Sequence, residues 1–418
     1  MPDKKGYQSL KTEPRFFYGY IVVVVALFIM VVSWALYYSF GVFFKPLLNE
    51  FGWTHAMTSG AFSLSMTMYG VLGIVGGVLN DRFGPRVLLT VCGLLLGLGY
   101  LLMSQVSALW QMYLFYGVIV GTGMSGVWVP QLSTVARWFV GRRTLMTGIV
   151  LAGVSIGQLI GPPVTTRLIA VYDWRLSYIM LGGAVLLVVL FAQFLRRDPT
   201  QMGQLPYGAD EGKQPELTSD APSFSLREAA YTAQFWVAFS IFFCFGFGAF
   251  AIIVHIVPHA IELGISATSA AAILSCRGGM GLVGNYVLGG VADRIGNRQI
   301  FIVGFIMILA ALLWLVPARE LWMLYLFAVI FGFAVGGMAA SESPLVAGLF
   351  GLTSHGLIYG VAHLGFTAGA AVGPVVAGYI FDLTGNYQVA FLVCAAFSIV
   401  GIILAAILRP TRRAHGRI

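Results

Sequence analysis

Charged residues are scarce in this sequence. They make up 10% of its 418 residues, whereas 59% of the residues are hydrophobic and the mean hydropathy is +0.88. No soluble domain of this size is so apolar, so we expect an integral membrane protein. The net charge of +8 does not indicate a nucleic-acid partner, because the basic residues lie in loops beside apolar segments.

Cysteine is also rare, and its placement excludes two kinds of site. Cys92, Cys244, Cys276 and Cys394 all fall in apolar runs, without the spacing of metal ligands or of a disulfide framework. The sequence also lacks a glycine-rich nucleotide-binding loop and any Ser–His or metal-ligating cluster at one depth. We therefore expect no metal, no cofactor, no ATP-driven step and no enzymatic activity.

Long apolar segments are abundant instead, and twelve of them are long enough to cross a bilayer. We expect an all-α integral membrane protein with these twelve transmembrane helices. Their predicted limits are 17–44, 57–79, 87–104, 109–136, 145–167, 173–195, 234–257, 268–290, 299–317, 321–346, 356–380 and 386–408.

The longest hydrophilic stretch, 196–233, separates the sixth segment from the seventh. It is rich in proline and acidic residues, which is typical of a linker. Within it, Ser225 and Glu228 have the spacing of a capping box and predict a short helix before the seventh segment. The predicted domains are therefore an N-terminal six-helix bundle (1–195), a cytoplasmic linker (196–233) and a C-terminal six-helix bundle (234–418).

The basic residues predict the orientation in the membrane. With the N-terminus in the cytoplasm, nineteen of the 24 lysines and arginines lie on the inner side and four on the outer side. This asymmetry follows the positive-inside rule and predicts that both termini are cytoplasmic. The short loops favour a prokaryotic cell membrane, and we expect the chain to function as a monomer.

The two halves of the sequence are related by an internal repeat with an offset of 212 residues. The agreement extends over three separated blocks, and it includes two Gly-Pro pairs, Gly161-Pro162 and Gly373-Pro374. Glycines spaced by four precede both pairs and predict a smooth helix face for close packing. Two such halves are expected to meet at a central cavity and to rock about it, which alternates access to the cavity.

A duplicated polar motif lies where the second segment meets the third and where the eighth meets the ninth. It contains Asp81 and Arg82 in the first half, and Asp293 and Arg294 in the second. An acid beside glycines and arginines can cap a helix N-terminus or pair with a neighbouring arginine. We therefore interpret these four residues, together with Arg142, as a latch that closes the inner side in one state.

Arg277 is the arginine that lies deep inside an apolar segment. It is nine residues into the eighth segment, about 14 Å from its start. A guanidinium stays charged there, so it needs a polar cavity, a buried carboxylate or a bound anion. The sequence offers no carboxylate at the same depth, so we favour an anion-binding site. One fixed cation balances one negative charge, which favours a monocarboxylate over a dianion.

Aromatic and histidine residues supply further candidates. Tyr116 is about 9 Å into the fourth segment and is expected to reach the carboxylate or a 2-hydroxyl. Trp34, Tyr38 and Phe331 are candidates for the apolar wall of the substrate site. His255, His363 and Tyr38 are candidates for proton coupling, since histidine titrates near neutral pH. The simpler alternative is that the proton travels on or beside the substrate.

The twelve segments and the duplicated Asp-Arg motif resemble the major facilitator superfamily, over nearly the whole chain. Residues 39–45, residues 137–148 and Arg277 with the Gly281–Asn285 stretch are similar to the monocarboxylate transporters and to their bacterial relatives, the oxalate–formate antiporters. The resemblance implies two pseudo-symmetric six-helix bundles and a carboxylate bound by Arg277.

The chain departs from both groups at residues that matter for coupling. Proton-coupled animal members have a lysine where this chain has Tyr38, and an aspartate where it has Ile273. Oxalate–formate antiporters have a lysine in the eleventh segment, where this chain has Ala362 and His363. The resemblance therefore implies the substrate site and leaves the proton-coupling groups unassigned.

The function we expect is secondary active transport of small monocarboxylates of the L-lactate and pyruvate type, in symport with a proton. The alternative is a carboxylate exchanger of the oxalate–formate type. A multidrug efflux pump is a second rival, but it needs an acidic residue to attract cations, and Arg277 argues against it.

Overall fold

The computed structural model describes residues 17–139, 142–207, 224–351 and 354–409, except for a few side chains, among them those of Asp81, Arg143 and Asp293. Within these ranges the regular structure is helical, apart from one bridge between Phe139 and Tyr207. Twelve long helices follow one another. They are α1 (Gly19–Phe51), α2 (His55–Gly76), α3 (Arg82–Met103), α4 (Leu109–Val135), α5 (Arg143–Tyr172), α6 (Trp174–Ala192), α7 (Ala233–Glu262), α8 (Ala267–Ile295), α9 (Asn297–Leu315), α10 (Leu321–Phe350), α11 (His355–Thr384) and α12 (Gln388–Ile407).

Eleven of these helices are long and apolar enough, by length and composition, to cross a membrane in the described part of the chain. The other is α8, which is 29 residues long but carries Arg277 among glycine, alanine and serine. It packs between α10 of its own half and α5 of the other half, and its Arg277 is buried against protein. The predicted all-helical membrane fold is confirmed.

The connections between α2 and α3 and between α8 and α9 differ from the predicted loops. The chain is helical from His55 to Met103 except at Gly84 (φ 80°, ψ 166°). The regular part of α3 then begins at Pro85, whose missing N–H is no loss at the start of a helix. Gly296 (φ 93°, ψ 149°) makes the same turn between α8 and α9. One glycine with positive φ is enough to redirect each helix, because glycine adopts that conformation without a steric penalty.

The internal repeat is visible in the backbone. α2 and α8 begin 212 residues apart, and so do α5 and α11. Positive-φ residues also recur at this offset, in three pairs. These are Gly52 and Gly264 (64° and 83°), Gly84 and Gly296 (80° and 93°), and Asp173 and Gly385 (97° and 72°).

The predicted glycine faces make close helix contacts within each half. A methyl group on Gly157 of α5 would lie 2.7 Å from Val31 O of α1, and one on Gly369 of α11 would lie 2.1 Å from Phe243 O of α7. These distances confirm the predicted packing role, because side chains larger than hydrogen would separate the helices.

Part of the predicted linker is described. Residues 208–223 lie outside the described residues, so the domain limits stay a prediction. The short helix Leu226–Ala230 begins with the predicted capping box, in which Ser225 N–H donates to Glu228 Oε2 (2.8 Å) and Glu228 N–H donates to Ser225 Oγ (3.3 Å). The linker joins the C-terminal half through Phe224 N–H, which donates to Phe350 O (3.1 Å).

Candidate functional site between the two halves

Arg277 lies at the contact between the halves. Its side chain is buried, and Nη1 donates a 2.7 Å hydrogen bond to Oε1 of Gln158 on α5. The helices can approach this closely because the next residue of α8 is Gly278, where a methyl group would lie 2.8 Å from Gln158 Cγ. Arg277 is ten residues from the start of α8, about 15 Å along the helix, near the middle of the hydrocarbon core.

α10 fixes the other side of the guanidinium. A methyl group on Gly332 would lie 2.3 Å from Arg277 O, so α10 crosses α8 at the level of this arginine. The neighbouring Phe331 therefore presents its ring to the guanidinium, with 5.7 Å from Cζ to the ring centroid. A cation at this distance from an aromatic face is attracted by the ring quadrupole. The structure thus brings the predicted residues Arg277 and Phe331 together.

Trp34 and Tyr38 form the wall contributed by the N-terminal half. Their ring centroids are 5.3 Å apart, and Tyr38 interacts electrostatically with Arg277. The first stretch of α1 ends at Tyr38. At the break that follows, Ser39 Oγ donates a hydrogen bond to Ala35 O (2.7 Å). Trp34 also contacts Tyr69 of α2, at 6.0 Å between centroids. Two of the predicted wall residues therefore lie beside Arg277.

Several buried donors at this site have no hydrogen-bond acceptor. They are Arg277 Nε, Gln158 Nε2 and Trp34 Nε1. Native proteins satisfy nearly all buried polar groups, so a group of unsatisfied donors requires an explanation. In the described part of the chain, no ion pair includes Arg277, whose hydrogen-bond partner is an amide. A small anion that accepts hydrogen bonds fits both the excess positive charge and the free donors.

Tyr116 packs inside the N-terminal half, and its predicted contact with the substrate stays a prediction. It belongs to a π-helical stretch, Tyr113–Val120, that turns its ring into the core of the N-terminal half. There it packs at 4.7 Å from Phe40 and 6.3 Å from Tyr37, between centroids, and is 1% exposed.

The two histidine candidates have different surroundings. His255 is fully buried, with Nδ1 3.1 Å from Tyr387 Oη and Nε2 2.8 Å from Pro374 O. Both ring nitrogens are engaged within the C-terminal half, so His255 ties α7 to α11 and α12, and its role in proton coupling stays a prediction. His363 instead lies with its Nδ1 2.7 Å from Oε2 of Glu342 on α10.

The predicted latch lies at the end of the bundle that carries Arg86, Arg196 and Arg298, here called the basic end. The side chains of Asp81 and Asp293 lie outside the described residues, so their role stays a prediction. Arg82 and Arg294 are exposed, and Arg142 stacks on Tyr207, with 5.6 Å from Cζ to the ring centroid. Arg82 also borders a cavity of about 420 Å³, which Arg86, Arg196 and Arg197 line as well.

The other end of the bundle, here called the opposite end, holds contacts between the halves that the sequence did not predict. Asp382 of α11 accepts hydrogen bonds from the backbone N–H groups of His55 and Ala56 (both 2.8 Å) at the start of α2. Lys45 and Glu262 form an ion pair beside it. A carboxylate at a helix N-terminus is favourable, so Asp382 stabilises the contact between the halves at this end.

Sequence reasoning missed Gln158 and did not assign Glu342 to the transport site. Gln158 follows a packing glycine, and it is the one large amide side chain of α5. Glu342 is a carboxylate inside a spanning segment, which is a signal of function in itself. Asp382 gave a weaker signal, since a lone acid near a helix end is usually solvated.

Fold and site together define a polytopic transporter in which two six-helix halves enclose a buried cation. The sequence model of the Major Facilitator Superfamily matches residues 25–290 and 244–417. The chain therefore belongs to the Major Facilitator Superfamily.

Curated relatives specify the resemblance further. The chain is 25% identical to monocarboxylate transporter 12 of Mus musculus (97% of this chain and 88% of that protein). It is 28% identical to monocarboxylate transporter 13 of Bos taurus, over 92% of this chain and 88% of that protein. It is 27% identical to monocarboxylate transporter 11 of Homo sapiens, over 92% of this chain and 81% of that protein. The resemblance to the monocarboxylate transporter family is thus confirmed.

Solved structures show the same fold. The crystal structure of a bacterial homologue of the human lysosomal transporter Spinster, in an inward-facing and unoccupied conformation, superposes with a TM-score of 0.76. It covers 94% of this chain and 97% of that chain, at 16% identity. The inward-facing, occupied structure of such a homologue gives a TM-score of 0.75. At this identity the likeness concerns the fold alone.

Proposed function

We propose that this protein is a secondary active transporter of small monocarboxylates, of the L-lactate and pyruvate type, and that it works by alternating access in symport with a proton. The observation that carries the proposal is Arg277, a buried cation between the halves whose partner is an amide. A monocarboxylate neutralises this cation, while a dianion leaves one charge uncompensated in a medium of low dielectric constant. The names of the curated relatives support the same substrate class.

The binding mode follows from the free donors. The carboxylate takes the Arg277 guanidinium bidentately, through Nε and a terminal nitrogen, which is the favoured geometry of such pairs. Gln158 then turns its amide toward the substrate, since Nε2 has no acceptor at present. Trp34, Tyr38 and Phe331 enclose the short carbon chain, so large substrates are excluded. Because donors come from both halves, substrate binding draws the halves together.

The proposed orientation places the basic end in the cytoplasm, together with both termini, in a prokaryotic inner membrane. It rests on the distribution of lysine and arginine. In this orientation the contacts of Asp382 and Glu262 close the outer side, and the substrate site opens toward the cytoplasm. We further propose that the monomer is the functional unit, since one chain supplies both halves of the site.

Uptake of labelled L-lactate into proteoliposomes tests this function. With no internal substrate and an acidic exterior, we expect uphill accumulation that a protonophore abolishes. Pyruvate should compete, whereas oxalate and a lipophilic cation should not. Arg277→Gln should abolish uptake, and Arg277→Lys should retain only a small part because it cannot bind bidentately. Uptake that requires preloading with a carboxylate would identify an exchanger, and a normal rate in Arg277→Gln would refute the site.

A further inference from the structure

Glu342 is a carboxylate buried inside the bundle and away from Arg277. Its side chain is 4% exposed, in the last third of the spanning helix α10. It is eight residues from the end of α10, about 12 Å from the basic end, whereas Arg277 is about 27 Å from it. An ionisable group at such a depth is costly to keep, which indicates a function.

Two side chains of α11 hold this carboxylate. His363 Nδ1 is 2.7 Å from Glu342 Oε2, and Tyr359 Oη donates to the same oxygen at 3.2 Å. The side chain of His363 is 26% exposed and that of Glu342 is 4% exposed, so the imidazole is the more accessible member of the pair. A proton can therefore reach Glu342 through His363.

The pair also lies against the N-terminal half. α11 packs against α2, where a methyl group on Gly70 would lie 2.3 Å from Thr367, one turn after His363. The preceding residue, Tyr69, interacts electrostatically with both Glu342 and Tyr38, and Tyr38 is beside Arg277. A relative movement of the halves changes the surroundings of the carboxylate and of the substrate site together.

The charges of the two sites balance only in certain combinations. The Glu342–His363 pair is neutral with one proton, wherever it resides, and has one negative charge without it. Arg277 has one positive charge when empty and is neutralised by a monocarboxylate. The fully empty and the fully loaded cavity are therefore neutral, while each half-loaded state carries a net charge in a low-dielectric interior, which is costly.

We propose that Glu342 and His363 form the proton-binding site that couples proton movement to transport of the carboxylate at Arg277. This inference rests on the proposed function. It assigns the coupling to two residues that do not stand where proton-coupled animal members have their lysine and aspartate, at Tyr38 and Ile273 of this chain. The proton taken up by the pair is bound by Glu342 Oε2 or His363 Nδ1 and is released on the other side, with no other bond made or broken.

The other titratable groups around the pair do not replace it. Tyr359 and Tyr69 interact with Glu342, but phenols stay protonated at neutral pH. α8 offers Arg277 and Cys276, which lie nearer the opposite end, and Cys244 of α7 and Cys394 of α12 are buried thiols. Arg298 of α9 is held by the carbonyl of Ala405. Glu342 and His363 are thus the carboxylate and the imidazole that contact each other in this region.

Exchange and accumulation, measured on the same proteoliposomes, separate coupling from binding. Glu342→Gln should keep L-lactate counterflow within about twofold of wild type, because the fully loaded carrier still crosses. It should lose uphill accumulation driven by a proton gradient, since it cannot release the proton. Glu50→Gln is the matched control, a carboxylate neutralised at the opposite end that bonds to Trp174 and Arg175 of its own half, and it should accumulate normally. Accumulation by Glu342→Gln would overturn the proposal.

If Glu342→Gln does not fold, a second variant, His363→Gln, tests the proposal. In His363→Gln the pair loses its imidazole, so the pH dependence of accumulation should differ from that of the wild type. An unchanged pH profile in His363→Gln would equally overturn the proposal. Absence of lactate counterflow in wild type, or its persistence in Arg277→Gln, would instead refute the proposed function itself.

Discussion

Arg277 of the C-terminal half donates a 2.7 Å hydrogen bond to the side-chain amide of Gln158 in the N-terminal half. The bond joins the two halves at the depth of the proposed substrate site. It also keeps the guanidinium in place without neutralising it, since an amide oxygen accepts a hydrogen bond but carries no charge. A buried arginine held in this way is preorganised for an anion, and it avoids the ion pair that would compete with the substrate.

Gln158 should therefore determine substrate affinity. We expect Gln158→Leu to raise the KM for L-lactate by about tenfold, the effect of losing one charge-assisted hydrogen bond. Gln158→Glu should be more severe, because its carboxylate would pair with Arg277 and occupy the site. Uptake kinetics in proteoliposomes measure both effects. If Gln158→Glu transports better than Gln158→Leu, the guanidinium is not the anion site.

Two tyrosines provide a test of which aromatic residues touch the substrate. Tyr38 lies beside Arg277, so Tyr38→Phe should raise the KM for L-lactate about fivefold through loss of a hydroxyl near the carboxylate. Tyr116 lies in the core of the N-terminal half, so Tyr116→Phe should change the KM by less than twofold. The two substitutions remove the same atom. A larger effect at Tyr116 would favour the sequence-based prediction over the structure.

Asp382 should control the opening of the opposite end. It accepts hydrogen bonds from two backbone N–H groups of α2, and it lies 3.2 Å from His55 Nδ1. Asp382→Ala therefore removes a charged cap that joins the two halves. We expect faster maleimide labelling of a cysteine at Ser59, which is buried when this end is closed. All proteins compared in this experiment should also carry Cys276→Ser, because the thiol of Cys276 is partly exposed.

The control for Asp382 is Glu50, a carboxylate at the same end. Glu50 bonds to Arg175 and Trp174 of its own half (both 2.6 Å), so Glu50→Gln should leave the labelling rate of Ser59→Cys unchanged. If both substitutions accelerate labelling equally, general loosening is the cause, and Asp382 has no special part in closing this end.

The fold was predictable because it follows from local patterns. Apolar length predicts each helix, the 212-residue offset predicts two equivalent halves, and glycine spacing predicts the helices that touch. Arg277 was predictable for a related reason, since a charge in an apolar segment is a strong signal against a uniform background. The predicted loop before α3 failed because one glycine, Gly84, turns the chain where several residues were expected.

Contacts between the halves were not predictable. The pairing of Arg277 with Gln158, and of Asp382 with the start of α2, depends on how two bundles pack and rotate against each other. Periodicity along one helix does not contain this information. Tyr116 shows the same limit, because a π-helical stretch changes the direction of its side chain. Glu342 was visible as an acid in a spanning segment, but its partner became clear only from the packing of α10 and α11.

Lys45 and Glu262 should contribute little to closure, although they too join the halves. Their side chains are 22% and 37% exposed, and exposed ion pairs contribute about 0–1 kcal/mol. Lys45→Ala should therefore change the labelling rate of Ser59→Cys by less than about fivefold, and less than Asp382→Ala does. The effect should also vanish at high salt, which screens exposed charges. A larger change at Lys45 would mean that the pair, and not the cap by Asp382, holds this end closed.

Gly332 should be the glycine whose substitution damages the site most directly. A methyl group there would lie 2.3 Å from the carbonyl oxygen of Arg277, so Gly332→Ala must push α10 away from α8 and displace Phe331 from the guanidinium. Overpacking of this kind costs about 1–3 kcal/mol. We expect a lower melting temperature in detergent and a loss of L-lactate uptake.

Gly290 of α8 gives the matched control for Gly332. A methyl group on Gly290 meets no atom within 4 Å. Alanine is the better helix former by about 1 kcal/mol, so Gly290→Ala should be neutral or stabilising, with normal uptake. The two variants make the same chemical change in two helices of the same half, and they differ in the contact made by the added carbon. If Gly332→Ala transports as well as Gly290→Ala, the close crossing of α8 and α10 does not position Arg277, and the guanidinium must be held by Gln158 alone.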